Sequence, residues 1–162
     1  MTMERVRAIF SELGLAKVGS YIQSGNIFFD TDQTDRAVLT ETIERSLEQA
    51  LGYAVPVFLR SVAEIEQTLA LDPFRRLTTT EDMRLCIVFT KQAVPTNLGL
   101  PLQSPKQDMT IIQTAAYEAF VVWHVINGRP PVSFSFMDKL LGKQNTTRFF
   151  HTTEKILAAA GK

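Results

Sequence analysis

Arg148, His151, Thr152 and Lys155 recur at spacings of three and four near the carboxyl end of the chain. That period predicts one face of a last helix running from about Thr147 to Ala160. Two fixed cations and a titratable imidazole would then share a surface close to a helix N-terminus. Free backbone N–H groups and the helix dipole favour anions there. Asn145, Thr146 and Thr147 read as capping side chains, and Lys139 and Lys143 are near in sequence. The chemistry suggested is the binding of a small anionic or phosphate-bearing ligand. The alternative is a solvated helix face.

A second polar cluster is Tyr21-Ile22-Gln23-Ser24-Gly25-Asn26. Tyr21, Gln23, Ser24 and Asn26 could present ligand contacts from a tight hairpin. The competing reading is a turn whose side chains satisfy their own backbone.

Other chemistries find no pattern. His124 and His151 lack Cys partners and ligand spacing, so no metal site is expected. Cys86, the single cysteine, sits in an apolar strand and should behave as a small hydrophobe. No Walker, G-x-G-x-x-G or G-x-S-x-G pattern implies a cofactor or a nucleophile. Whether the chain is an enzyme stays open. His151 is where a perturbed titratable group would be sought.

The elements that must position these residues follow from periodicity. Met3, Val6, Ile9, Phe10 and Leu13 form a first helical stripe, closed by Gly14. Lys17–Ile22 and Asn26–Phe29 read as a hairpin. Leu39, Ile43, Leu47 and Leu51 stripe a second helix that opens at Thr34-Asp35 and stops at Gly52. Val55–Leu59 reads as an edge strand because it contains Pro56. Ser61 and Glu64 form a capping box for a third helix, whose buried face is Val62, Ile65 and Leu69. Strands follow at Leu85–Phe89, Thr110–Gln113 and Tyr117–Val125, with an irregular connection over residues 92–106. Ser135 opens a short helix that ends at Gly142.

The expected class is α+β. It comprises two ferredoxin-like subdomains with antiparallel sheets, the first lacking its initial strand. Residues 1–74 and 75–162 would form them, packed as one compact unit.

Seventeen Lys and Arg balance seventeen Asp and Glu over 162 residues. A neutral chain lacks the field that drives nucleic-acid binding. Forty-five per cent hydrophobic residues argue for an ordered core. No apolar run is long enough to span a bilayer and no secretory h-region is visible, so a cytoplasmic location is expected.

Tyr21-Ile22-Gln23-Ser24-Gly25-Asn26-Ile27-Phe28-Phe29 resembles the signature of a bacterial family known as domain of unknown function 1697. Asp72-Pro73-Phe74 and the apolar strand after it are also similar, as is the stretch from Thr147 to Leu157. The resemblance implies a ferredoxin-like α+β organisation and no established activity. The family's second signature carries Asn-Trp-Asn where this chain has Phe149-Phe150-His151. Arg148 and Thr152 are retained. Members resembling this chain begin with a strand before the first helix, whereas here the helix comes first. Either the start lies further upstream or another chain fills that place. A homo-oligomer through an open sheet edge, or more generally a protein-interaction module, is therefore the alternative to ligand binding.

Overall fold

The computed structural model describes residues 1–22 and 25–161. The fold is α+β, with five helices and two antiparallel sheets among the described residues. The chain divides into two compact units, residues 1–65 with 155–162, and residues 66–154.

Unit 1 is built on α1 (Met3–Glu12) and α2 (Arg36–Leu51). Thr2 caps α1 by accepting from the Arg5 N–H, and Met3, Val6, Ile9 and Phe10 are its buried stripe. Asp35 caps α2 through the Val38 N–H, and Gly52 ends it in the left-handed region at φ 84°. Leu39, Ile43 and Leu47 join the α1 stripe in one core. β1 (Ala16–Tyr21) and β2 (Asn26–Asp30) form a two-stranded antiparallel ladder whose Val18, Ile27 and Phe29 pack on that core. The Phe10 and Phe29 rings meet edge to face at 5.6 Å.

One expectation fails in unit 1. Val55–Leu59 belongs to no strand. Pro56 lacks an N–H, and the Val57 N–H donates to the Glu44 carboxylate (2.8 Å) instead of a ladder. The capping box is as expected. The Ser61 N–H donates to Glu64 Oε1 (2.8 Å), and the Glu64 N–H donates to Ser61 Oγ (3.1 Å). They open α3 (Val62–Ala70), yet Val62 is exposed and Thr68 is the buried residue. Ile65 and Leu69, the rest of the expected face, are half-buried, so only Val62 departs from it.

Unit 2 is a five-stranded antiparallel sheet in the order β4-β5-β6-β3-β7. Its strands are β3 (Met83–Thr90), β4 (Leu102–Gln103), β5 (Met109–Thr114), β6 (Glu118–His124) and β7 (Asn145–Phe149). β4 is a short strand inside the connection expected to be irregular. α4 (Phe134–Leu141) starts after Ser133 rather than at Ser135. Its Met137 and Leu141 pack on Cys86, Val88, Met109, Ile111 and Val121.

β7 is the larger correction. The last helix, α5 (Phe150–Ala160), starts only after it. Asn145, Thr146, Thr147 and Arg148 are therefore strand residues and not caps or first-turn positions. Thr146 and Thr147 oppose Phe89 and Val88 of β3. β-branched residues suit such a ladder, and the tertiary pairing overrides the helical period.

Candidate functional site

Alternation along β7 decides where Arg148 lies. Arg148 opposes Ile87, and Ile87 opposes Phe120 on β6. Both apolar neighbours are fully buried. Phe74 packs edge to face on this side, against Phe120 at 6.1 Å and Phe150 at 5.4 Å. Arg148 is thus a half-buried cation on an apolar sheet face. Its guanidinium donates to Thr146 Oγ1 (2.7 Å) and the Thr147 carbonyl (2.9 Å). Burial opposes its charge and lowers its pKa.

Phe149 points the other way. It opposes Cys86 and belongs to the α4 side of the sheet. The His151 ring stacks on Phe149, with centroids 5.8 Å apart and planes 22° apart. Arg148 and His151 therefore do not share one helix face as their spacing suggested. His151 and Lys155 are both exposed and stand one helical turn apart on α5. Thr152 is half-buried in the first turn. Thr153 is buried and donates its hydroxyl to the Phe149 carbonyl (3.0 Å), tying the first turn of α5 to the end of β7.

At the hairpin, Tyr21 opposes Asn26. Asn26 is buried, and its side-chain amide donates to the Tyr21 carbonyl (3.2 Å). That contact staples the hairpin from within. Ile22 follows at φ 52°, an unfavourable conformation for a β-branched residue, with its side chain exposed. Gln23 and Ser24, expected to contact ligand, lie outside the described residues.

Two groups behave as the sequence suggested. Cys86 is buried, and desolvation pushes its thiol up to about 12. His124 lies in β6 with Nε2 3.0 Å from Thr110 Oγ1, a cross-strand contact.

Two features were missed. Phe134, Trp123, Phe149 and His151 form a continuous row, each ring 5.7–5.8 Å from the next. Their sequence separation hides them, because β6 and β7 are joined only through β3. The other is Asp108, which is buried. Ser104 Oγ donates to Oδ1 and the Val132 N–H donates to Oδ2, both at 2.8 Å. Burial pushes the carboxyl up, but hydrogen bonds led by Ser133, with Val132 and Ser104, outweigh it and hold the group at about 2. The polar Ser104-to-Asp108 turn before an apolar strand was the only trace of it in the sequence.

Among the described residues, no group of three His, Cys, Asp or Glu side chains is arranged to hold a metal, and no helix is long and apolar enough to cross a membrane.

Comparison with known proteins places this geometry in context. A conserved bacterial protein from Streptococcus pneumoniae, SP0830, has a similar structure with TM-score 0.68 and 21% identity. The likeness covers all of this chain and 90% of that one, and shows a shared fold. No curated protein matches. The Thr147–Leu157 stretch lies beyond the family match, which spans residues 1–119 and includes the Tyr21–Phe29 motif. The chain belongs to the family described as "Protein of unknown function (DUF1697)".

Proposed function

We propose that the protein binds a small anion, of the kind carried by phosphate-bearing metabolites, where β7 runs into α5. Arg148 supplies the fixed charge. The first-turn N–H groups of α5 and the Thr152 hydroxyl supply donors. Lys155 adds positive charge, and His151 a ring N–H, on the exposed side of the helix.

The observation that carries this reading is the half-buried Arg148, opposite the fully buried Ile87 on the sheet, with burial lowering the pKa of its guanidinium. A guanidinium is a planar, permanently charged donor suited to an oxyanion.

The test is a thermal-shift series with inorganic phosphate, sugar phosphates and nucleotides on wild type, Arg148→Lys and Arg148→Gln. A ligand at about 100 times its Kd stabilises by about 2.7 kcal/mol. For a chain of this size that is a Tm rise of about 5–10 °C. The rise should shrink in Arg148→Lys and vanish in Arg148→Gln. An unchanged wild-type Tm across the series, or an undiminished rise in Arg148→Gln, refutes the reading.

A further inference from the structure

Phe134, Trp123, Phe149 and His151 touch ring to ring, from α4 through β6 and β7 to the first turn of α5. The contacts differ in kind. Phe134 meets Trp123 at 85° and Trp123 meets Phe149 at 82°, both edge to face, which closes those rings against one another. Phe149 and His151 lie nearly parallel, at 22°. That stack can be extended by a further flat ring on the far side of the imidazole.

The terminal ring is held ready for such an addition. The β3–β7 ladder fixes Phe149 opposite Cys86, which is fully buried. His151 is exposed, and among the described residues its side chain has no hydrogen-bond partner and no ring neighbour besides Phe149. A surface side chain ordinarily keeps its rotamer freedom and loses it on binding. Stacking on Phe149 has already restricted this imidazole, so a ligand ring would have little left to order. Trp123 and Phe149 are half-buried and Phe134 is 48% exposed, so the row remains an apolar surface beside the imidazole.

We propose that the ligand bound where β7 runs into α5 is a nucleoside phosphate, with its base stacked on His151 and its phosphate at the first turn of α5. The inference rests on the anion reading and narrows it. His151 and Thr152 are successive residues of that turn, so the flat ring and the hydroxyl offered to the anion come from one piece of backbone. Inorganic phosphate or a sugar phosphate satisfies the donors but has no flat ring to place on the imidazole. Aromatic side chains, histidine included, take unstacked bases readily, because every base has a π-face. An aromatic side chain of a partner protein would extend the stack but bring no anion with it.

The experiment titrates the full chain with adenosine monophosphate, ribose phosphate and adenosine. Calorimetry gives the affinities, and proton NMR follows the imidazole C–H signals. The chain has two histidines, so His124 is the internal reference. The monophosphate should bind about tenfold or more tightly than ribose phosphate, the gain expected for one base on an aromatic ring. It should shift the His151 ring protons upfield and leave those of His124 in place. In His151→Ala the preference should fall to about twofold or less, and His151→Phe should restore it. Because His151 is exposed, both variants are expected to fold. Equal affinity for the monophosphate and ribose phosphate overturns the nucleotide and leaves the anion reading standing. An undiminished preference in His151→Ala does the same. No binding of either phosphate, or adenosine bound as tightly as its monophosphate, overturns both.

Discussion

Asp108→Asn is the perturbation whose consequence the structure specifies best. The wild-type carboxylate accepts from Ser104 Oγ and the Val132 N–H at 2.8 Å each, and from the Ser133 side chain. These bonds tie the turn before β5 to the segment that enters α4. Asparagine has the same shape, but its NH2 group presents hydrogens to one of those donors. Hydrogen bonds to a charged group contribute about 1.5–3 kcal/mol each, and neutral ones about 1 kcal/mol. Losing the charge and mispairing one donor should cost about 3 kcal/mol. At 2–4 °C per kcal/mol for chains of this length, Tm should fall by about 6–12 °C near pH 6.

The same residue makes a pH prediction. Its folded pKa, about 2, lies below its ordinary value of 3.8. A depressed carboxyl contributes stability that is present above the unfolded pKa and lost as pH falls through the folded one. The contribution is about 2 kcal/mol, from roughly 1.4 kcal/mol per pH unit of displacement. The gap in Tm between wild type and Asp108→Asn should therefore be widest above about pH 5 and narrow steadily toward about pH 2. Calorimetric melts of both proteins across that range supply the measurement. A gap below about 1 °C near neutral pH, or one that does not change on acidification, refutes the assignment.

Other perturbations read other parts of the fold. Gly19 opposes Phe28, and a Cβ at Gly19 would run into that ring. Gly19→Ala should cost about 1–3 kcal/mol in chemical denaturation, and Phe28→Leu in the same chain should recover part of it. Ser61→Ala removes the acceptor for the Glu64 N–H and should cost about 1 kcal/mol by the same assay. Glu64 is held below its ordinary pKa chiefly by its hydrogen bond with Arg36, so a carbon-13 titration of that carboxyl should move upward in Arg36→Gln. Cys86, with its thiol near 12, should resist a disulfide reagent at about pH 8 until denaturant is added. Rapid labelling of the native protein would contradict its burial.

Much of unit 1 was legible in the residue pattern. Thr2, Asp35, Gly52 and the Ser61–Glu64 box mark helix ends through contacts within four residues, and local signals of that kind survive folding. The stripes on α1 and α2 were equally plain, because a single apolar core requires them. The α+β class and the family followed from the order of elements and the Tyr21–Phe29 motif. What failed depended on partners far along the chain. Val55–Leu59 has the composition of a strand, but a ladder needs a neighbour that composition cannot supply. Arg148 and His151 have helical spacing, yet β3 draws residues 145–149 into its sheet and turns Arg148 away from Phe149, on which His151 stacks. The cradle around Asp108 joins Ser104 to residues 132 and 133, and only the packing of α4 beside the sheet brings them together. Sequence determined which segments could be helix or strand, because those preferences are carried by neighbouring residues. Tertiary structure decided which strands found a partner and which side each charge faced, because pairing joins residues the chain holds far apart.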